Sequence, residues 1–120
     1  MPTIVIADDD NHLRSMLKQI IETEDYNVIE AMNGQQAIDF VKKHPVDLVI
    51  TDLIMPTKEG IETINELKHL NPDLPIFAMS GGSLTNAKVN LKIALNLGVS
   101  KTFLKPFDVN EMLEAIKAIV

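Results

Sequence analysis

Five short runs of β-branched and apolar residues alternate with five longer stretches of helical periodicity, and that alternation restricts the fold of this 120-residue chain more than anything else in it. The runs are Thr3–Ala7, Tyr26–Ala31, Asp47–Thr51, Pro75–Met79 and Val99–Leu104. After the first, Asn11 is a candidate helix cap. Leu13, Met16, Leu17, Ile20 and Ile21 then recur at i, i+3, i+4, i+7 and i+8, one face of an amphipathic helix. Asn33-Gly34 reads as a turn. Ala37, Ile38 and Val41 form a second helical stripe that stops at His44-Pro45, because the residue before proline disfavours the α region. Ile61, Ile64 and Leu67 mark a third helix, closed by Asn71-Pro72. A fourth spans Thr85 to Leu97 with Gly98 as its C′ residue, and Asp108 caps a fifth that runs through Met112, Ile116 and Val120. Met16 and Met112 sit at core spacing and are expected to fill the interior.

Strands that alternate with helices build a parallel sheet covered on both faces. The expected architecture is therefore a doubly wound α/β sandwich of (βα)5 type, with one domain over residues 1–120. Leu48, Val49 and Ile50 in succession predict a central strand buried on both sides. Charge and composition narrow the function. Lys plus Arg number 11 and Asp plus Glu 17, a net charge of -6, which lacks the basic footprint of a nucleic-acid or anionic-membrane binder. With no Cys, disulfide frameworks, thiolate metal sites and cysteine nucleophiles are excluded. No apolar run exceeds four residues, and the first residues carry no basic segment before the apolar stretch. A cytoplasmic location is expected.

In an open parallel sheet, ligands bind beyond the carboxyl ends of the strands. Beyond the first strand stand Asp8, Asp9 and Asp10; beyond the third, Asp52; beyond the fourth, Ser80; beyond the fifth, Lys105. Two carboxylates about 5 Å apart repel by ~3 kcal/mol at an effective dielectric of 20, so one would hold a proton unless a cation intervened. Oxygen-only ligands suit Mg²⁺ or Mn²⁺, and Mg²⁺ binds through one or two carboxylates with a phosphate oxygen and water. Such a cluster fits phosphoryl transfer, with an Asp as nucleophile and Lys105 and Ser80 meeting the phosphoryl oxygens. Asp52, alone on the central strand, is the best acceptor. Asp10 reads as a helix cap or loop acid, and His12, His44 and His69 as surface residues.

At these residues the chain resembles the receiver domain of two-component response regulators. The motifs are IVIADDD, DLVITDLIMPTKEG, FAMSGG and FLKPF, in order and across essentially the whole chain. The resemblance implies a flavodoxin-like sheet of order 2-1-3-4-5 and a single-domain phosphoprotein of a two-component or phosphorelay system. It would accept a phosphoryl group from a sensor histidine kinase or phosphotransfer protein and act on a downstream protein target; the acidic charge, apart from the resemblance, argues against nucleic acid or membrane as partner. By the same resemblance Asp52 is the phosphoacceptor, Asp9 and Asp52 are direct Mg²⁺ ligands, Asp8 acts through water, and the backbone carbonyl of Ile54 completes the metal site. Ser80 would hold the phosphoryl group, Lys105 would pair with its oxygen, and Lys105-Pro106 is expected to be cis, a minority form of X-Pro bonds. The domain would signal rather than turn over a substrate, catalysing only its own phosphorylation and slow dephosphorylation.

Two places depart from the family pattern. Thr102 stands where a switch aromatic usually sits, and Phe103, one further on, faces the other side of the strand. Ile54 and Gly82 lack side chains that could orient a hydrolytic water. The fourth helix carries two apolar stripes, Ala87, Leu91, Ala94 and Leu95 on one face and Val89, Ile93 and Leu97 on the other. The second is either covered by neighbouring segments or, as the family's signalling face implies, a partner surface together with Thr102 and Phe103. Two other functions compete: a pseudo-receiver that only binds, and a haloacid-dehalogenase-type aspartyl-phosphate hydrolase, whose motif wants Thr or Val where His12 stands. A calcium loop from Asp8 fails because its sixth place is Leu13, not Gly.

Overall fold

The computed structural model describes residues 1–53, 60–81 and 87–120, and of Ala87 only its place in a helix. The elements alternate as β1 (Thr3–Ala7), α1 (Asn11–Glu22), β2 (Asn27–Ala31), α2 (Gly34–Lys43), β3 (Leu48–Asp52), α3 (Gly60–Leu70), β4 (Ile76–Ser80), α4 (Ala87–Asn96), β5 (Lys101–Leu104) and α5 (Val109–Ile119). All strand pairs are parallel, in the order β2-β1-β3-β4-β5. The chain order reverses direction between β1 and β3, so their carboxyl ends flank the switch point where such sheets bind ligands.

Strand alternation divides the interior in two. Val5, Val49, Ile76 and Ala78 face one side, with Ile38 of α2, Ile64 and Leu67 of α3, and Leu91 and Ala94 of α4. Ile4, Ile6, Leu48, Ile50, Phe77, Met79 and Phe103 face the other, with Leu17 and Ile21 of α1 and Met112 and Ile116 of α5. Each face is a separate core, joined only through the sheet, and β3 and β4 are buried at every residue. Fully burying a Leu or Ile side chain is worth about 1.5–3 kcal/mol, and these rows supply most of that burial.

Local chemistry shifted several expectations. Asp10, not Asn11, caps α1: its carboxylate accepts from the N–H groups of His12 and Leu13, while the Asn11 side chain is drawn off to accept from Arg14. The Leu13 N–H, joined by that of His12, holds the Asp10 carboxyl below the usual carboxylate range. Asn33 is a true cap, accepting from the Gln36 N–H, so its pair with Gly34 opens α2 rather than forming a free turn. β3 and β4 each run one residue further than expected, ending on Asp52 and Ser80, which places both side chains in the ladder rather than in loops. β2 and β5 start later, at Asn27 and Lys101. Met16 is half-exposed, whereas Met112 is buried.

The C-terminus of α4 follows the pattern that Gly98 predicts. Its φ is +100, its N–H donates to Leu95, and the Val99 N–H donates to Ala94. This closure uses the orphan carbonyls of the last turn. Leu95, expected on the packed face, is 50% exposed, while Leu97 packs against the core. Leu97 therefore leaves the second stripe, and Val89 (55%) and Ile93 (41%) remain on the surface. Phe103, grouped in sequence with the partner surface, is buried between Phe77 and Phe107, with ring centroids 5.6 and 5.7 Å away. Thr102 is half-buried. The three histidines are exposed. The position of Thr85, and the proposed roles of Ile54 and Gly82, lie outside the described residues. No helix among the described residues is long and apolar enough to cross a membrane.

Candidate functional site

Register brings the acids together. Ile6 pairs with Ile50 across β1 and β3, so Asp8 and Asp52 are the next partners on the same row and the same face. Asp9 follows directly. One oxygen from each of Asp8, Asp9 and Asp52 lies within 4.8 Å of the others. Asp8 is 1% exposed and Asp52 7%, while Asp9 is exposed. Water reaches the cluster from the Asp9 side.

Lys105 enters from β5. Its backbone N–H donates to the Ser80 carbonyl at 2.7 Å, and its ammonium donates to Asp8 Oδ2 at 2.8 Å while lying 3.6 Å from Asp52 Oδ2. To reach Asp8 it must cross the end of β4, and the residue it crosses is Gly81. A Cβ there would collide with the Lys105 Cβ and press on its Cγ and Cδ. Gly60 has an equivalent duty behind Asp52: a Cβ would strike the Asp52 carbonyl oxygen and the Leu53 Cα. The start of α3 is thereby pressed onto the end of β3, and the Gly60 N–H donates to the Leu53 carbonyl at 3.0 Å. The Lys105-Pro106 bond is cis.

The electrostatics follow from that crowding. Burial, then the neighbouring Asp8 charge, push the Asp52 carboxyl up to about 6, against the opposing pull of Lys105 and of the Leu53 N–H. Burial alone would lower the Lys105 ammonium, but its hydrogen bond to Asp8 and the charges of Asp52 and Asp8 outweigh it and hold it above its usual range. One ammonium thus serves at least two buried carboxylates. Three acids against one lysine leave an excess of negative charge that a divalent cation would remove.

The Ser80 hydroxyl is the one buried side-chain polar atom among the described residues without a hydrogen-bond partner. A buried hydroxyl left unsatisfied costs about 1–3 kcal/mol, so this site carries a donor with nothing to donate to. Carboxylate oxygens spaced for a hard cation, a lysine between them and an orphaned hydroxyl are a donor set that fits Mg²⁺ and a phosphoryl group together. An apolar groove of about 360 Å³ opens beside the site, walled by Leu13, Met16, Phe107 and Val109 with Asp10 and Lys105 at its edge.

The response regulator receiver domain model matches residues 4–117. The chain belongs to that family. The response regulator GtcR of Aneurinibacillus migulanus is 36% identical over 116 residues, 97% of this chain and 46% of that protein. The sporulation initiation phosphotransferase F of Bacillus subtilis is 33% identical over 115 residues, 95% of this chain and 90% of that protein. The receiver chain thus spans about half the length of the first relative and most of the second. Among solved structures, the Thermotoga maritima response regulator TrrA in complex with Mg²⁺ and BeF has a TM-score of 0.86, with 26% identity and 100% of both chains covered. The flavodoxin-like order expected of the family is the order observed.

Two residues of this site went unremarked in the sequence, Arg14 and Glu30. Arg14 lies on the buried stripe of α1 with Leu17 and Ile21. Its guanidinium donates to Glu30 Oε1 at 2.9 Å, to the Asp8 backbone carbonyl at 2.6 Å and to Asn11 Oδ1 at 2.6 Å. A charge on an otherwise apolar helical stripe was the available signal.

Proposed function

We propose that this receiver domain, comprising residues 1–120, is a phosphoacceptor that takes a phosphoryl group onto Asp52 from a phosphohistidine on a sensor kinase or phosphotransfer protein. The observation that supports this most is the placement of Asp52 beside Asp8 with the Lys105 ammonium between them, at a strand edge that also carries the orphaned Ser80 hydroxyl. An Asp52 carboxylate oxygen attacks the phosphorus in line. The O–P bond forms as the P–N bond to the imidazole breaks, and the imidazole leaves with the electron pair. Lys105 neutralises charge on one phosphoryl oxygen, and Ser80 donates to another. Asp8, Asp9 and Asp52 would hold the Mg²⁺, which when bound offsets charge on the phosphoryl oxygens; Mn²⁺ suits the same oxygen ligands. The proposed carbonyl ligand, Ile54, follows Asp52 by two residues in sequence.

The domain is a signalling element and not a turnover enzyme. It catalyses its own phosphorylation and a slow dephosphorylation, in the cytoplasm. The groove beside Lys105 gives the phosphodonor an apolar wall next to the acceptor. Val89, Ile93 and Thr102 stand on the side that would face a downstream protein.

Acetyl phosphate with Mg²⁺, read by intact mass, tests the reading. The expected result is a gain of one phosphoryl group that is absent in Asp52→Asn. No gain, or a gain that persists in Asp52→Asn, would refute it.

A further inference from the structure

The acids of the site are themselves held by something. Asp8 Oδ2 accepts from Lys105, and Asp8 Oδ1 accepts from the Asp10 N–H at 2.9 Å. The peptide before Asp8 is fixed by β2, through the Asp8 N–H to the Ala31 carbonyl at 3.1 Å. The peptide after it, the one that joins Asp8 to Asp9, is held through its carbonyl oxygen by the Arg14 guanidinium at 2.6 Å.

That last bond controls more than one atom. A peptide unit is planar, so fixing the direction of the Asp8 carbonyl sets ψ of Asp8 and φ of Asp9 together. Those two angles decide where both side chains leave the backbone. We infer that Arg14, kept in place by Glu30, is a positioning residue that aims the Asp8 and Asp9 carboxylates at Asp52 and so sets the affinity of the site for a divalent cation. The inference rests on the phosphoacceptor reading and adds to it a second layer of residues from α1 and β2.

The chemistry of the pair supports this role. Arg14 has a side chain only 9% exposed, and its fork meets three acceptors on three segments: the end of β1, the first turn of α1, and β2. Only a planar guanidinium can span them; a lysine ammonium has one nitrogen to offer. Glu30 neutralises the buried charge, and its second oxygen lies 3.9 Å from the Lys18 ammonium. Without Glu30 the guanidinium would gain by turning to water, and the Asp8 carbonyl would lose its tether.

Isothermal titration with MgCl₂ on the intact chain tests the inference, together with thermal unfolding of the metal-free protein. Arg14→Met is expected to raise the Mg²⁺ Kd about tenfold or more, the usual consequence of losing an outer-shell partner. Glu30→Gln, a milder change at a partly exposed position, is expected to raise it by a smaller factor and keeps the test open if Arg14→Met fails to fold. Ile116→Val, far from the site in the α5 core, is the control: it lowers Tm and leaves Kd unchanged. A tether that only stabilises the fold would lower Tm in Arg14→Met and Glu30→Gln with Kd within twofold of wild type, and that overturns the inference alone. A wild type that takes up neither Mg²⁺ nor a phosphoryl group overturns the phosphoacceptor reading and this inference with it.

Discussion

The two halves of the sheet's carboxyl edge are built differently. On the β1–β2–α1 side every polar group of Asp8 is bonded: its N–H to β2, its carbonyl to Arg14, its carboxylate to Lys105 and Asp10. On the β4–β5–α4 side Ser80 is buried without a partner, Thr102 stands half-buried, and Val89, Ile93, Leu95 and Leu104 lie on the surface. In the first half every hydrogen-bonding group of Asp8 has a partner before any ligand arrives. The second holds its unsatisfied groups in reserve. A phosphoryl group on Asp52 would add nothing that the first half lacks, whereas it would supply the acceptor that Ser80 is missing. The bonded half therefore sets the chemistry and the unbonded half is where the response to it costs least.

The comparison breaks most severely at the glycines that let the halves meet. Gly60→Ala places a Cβ against the backbone of Asp52 and Leu53, atoms that cannot rotate away. The expected loss is ~3 kcal/mol, the upper range for overpacking, read as a lowered midpoint in urea, along with loss of acetyl-phosphate labelling. Gly81→Ala drives its Cβ into the Lys105 Cβ, an atom the backbone holds in place, and presses on the methylenes beyond it, so labelling should fall several-fold and stability by about 1–3 kcal/mol. Wild-type stability and labelling in either variant would show that the backbone there yields more than its packing implies.

Proton linkage gives the next largest effect. Because the folded carboxyl of Asp52 titrates near 6, above its unfolded value of 3.8, the folded state binds more protons than the unfolded one between those values. The metal-free protein should lose stability as pH rises from about 4 to about 6, by ~2 kcal/mol after allowance for partial solvent access. Mg²⁺ competes with that proton, so its Kd should tighten across the same window. Carboxyl ¹³C shifts of Asp52 in the metal-free protein check the sign directly: a midpoint near 4 would mean that Lys105 outweighs burial and the Asp8 charge.

Ser80→Ala tests the unbonded half. Removing a buried hydroxyl that has no partner should leave the resting protein as stable or more stable, by up to about 1 kcal/mol, while slowing phosphorylation. The same type of change on the bonded side has the opposite sign: Asp10→Ala removes the cap of α1 and the N–H donors' acceptor, and should lower stability. Thermal melts of the two variants side by side decide the matter.

What could be read from the sequence divides along the same line. The βα alternation, the rows of strand residues and the acids at strand ends are local patterns, so the sheet and its Asp8, Asp52 and Lys105 positions were legible. Arg14 left only a weak mark, a charge on the apolar stripe of α1, and its partner Glu30 lies 16 residues away on β2. Asn11 lost its cap role to Asp10, whose carboxylate takes the first N–H groups, while the Asn11 side chain accepts from Arg14 within the same helix. α4 was the hardest element: it carries two apolar stripes, and spacing put Leu91 and Ala94 on the sheet correctly but misplaced Leu95 and Leu97. Leu97 is partly buried and Leu95 exposed, the reverse of the spacing argument.

The smallest expected effect concerns that exposed surface. Val89 and Ile93 are 55% and 41% exposed, so they contribute little burial to the folded chain. Ile93→Ser should change stability by less than about 0.5 kcal/mol, as for surface substitutions generally, and should leave acetyl-phosphate labelling at the wild-type rate. Leu91→Ser, two residues earlier on the same helix but buried against the sheet, should cost several times more, since it strips apolar contact and buries a hydroxyl. If both variants lose stability equally, α4 sits deeper than its exposure indicates and the open half of the molecule is not open. If only Leu91→Ser does, the outer stripe of α4 is free of any folding duty, and its apolar residues are there for something other than the core.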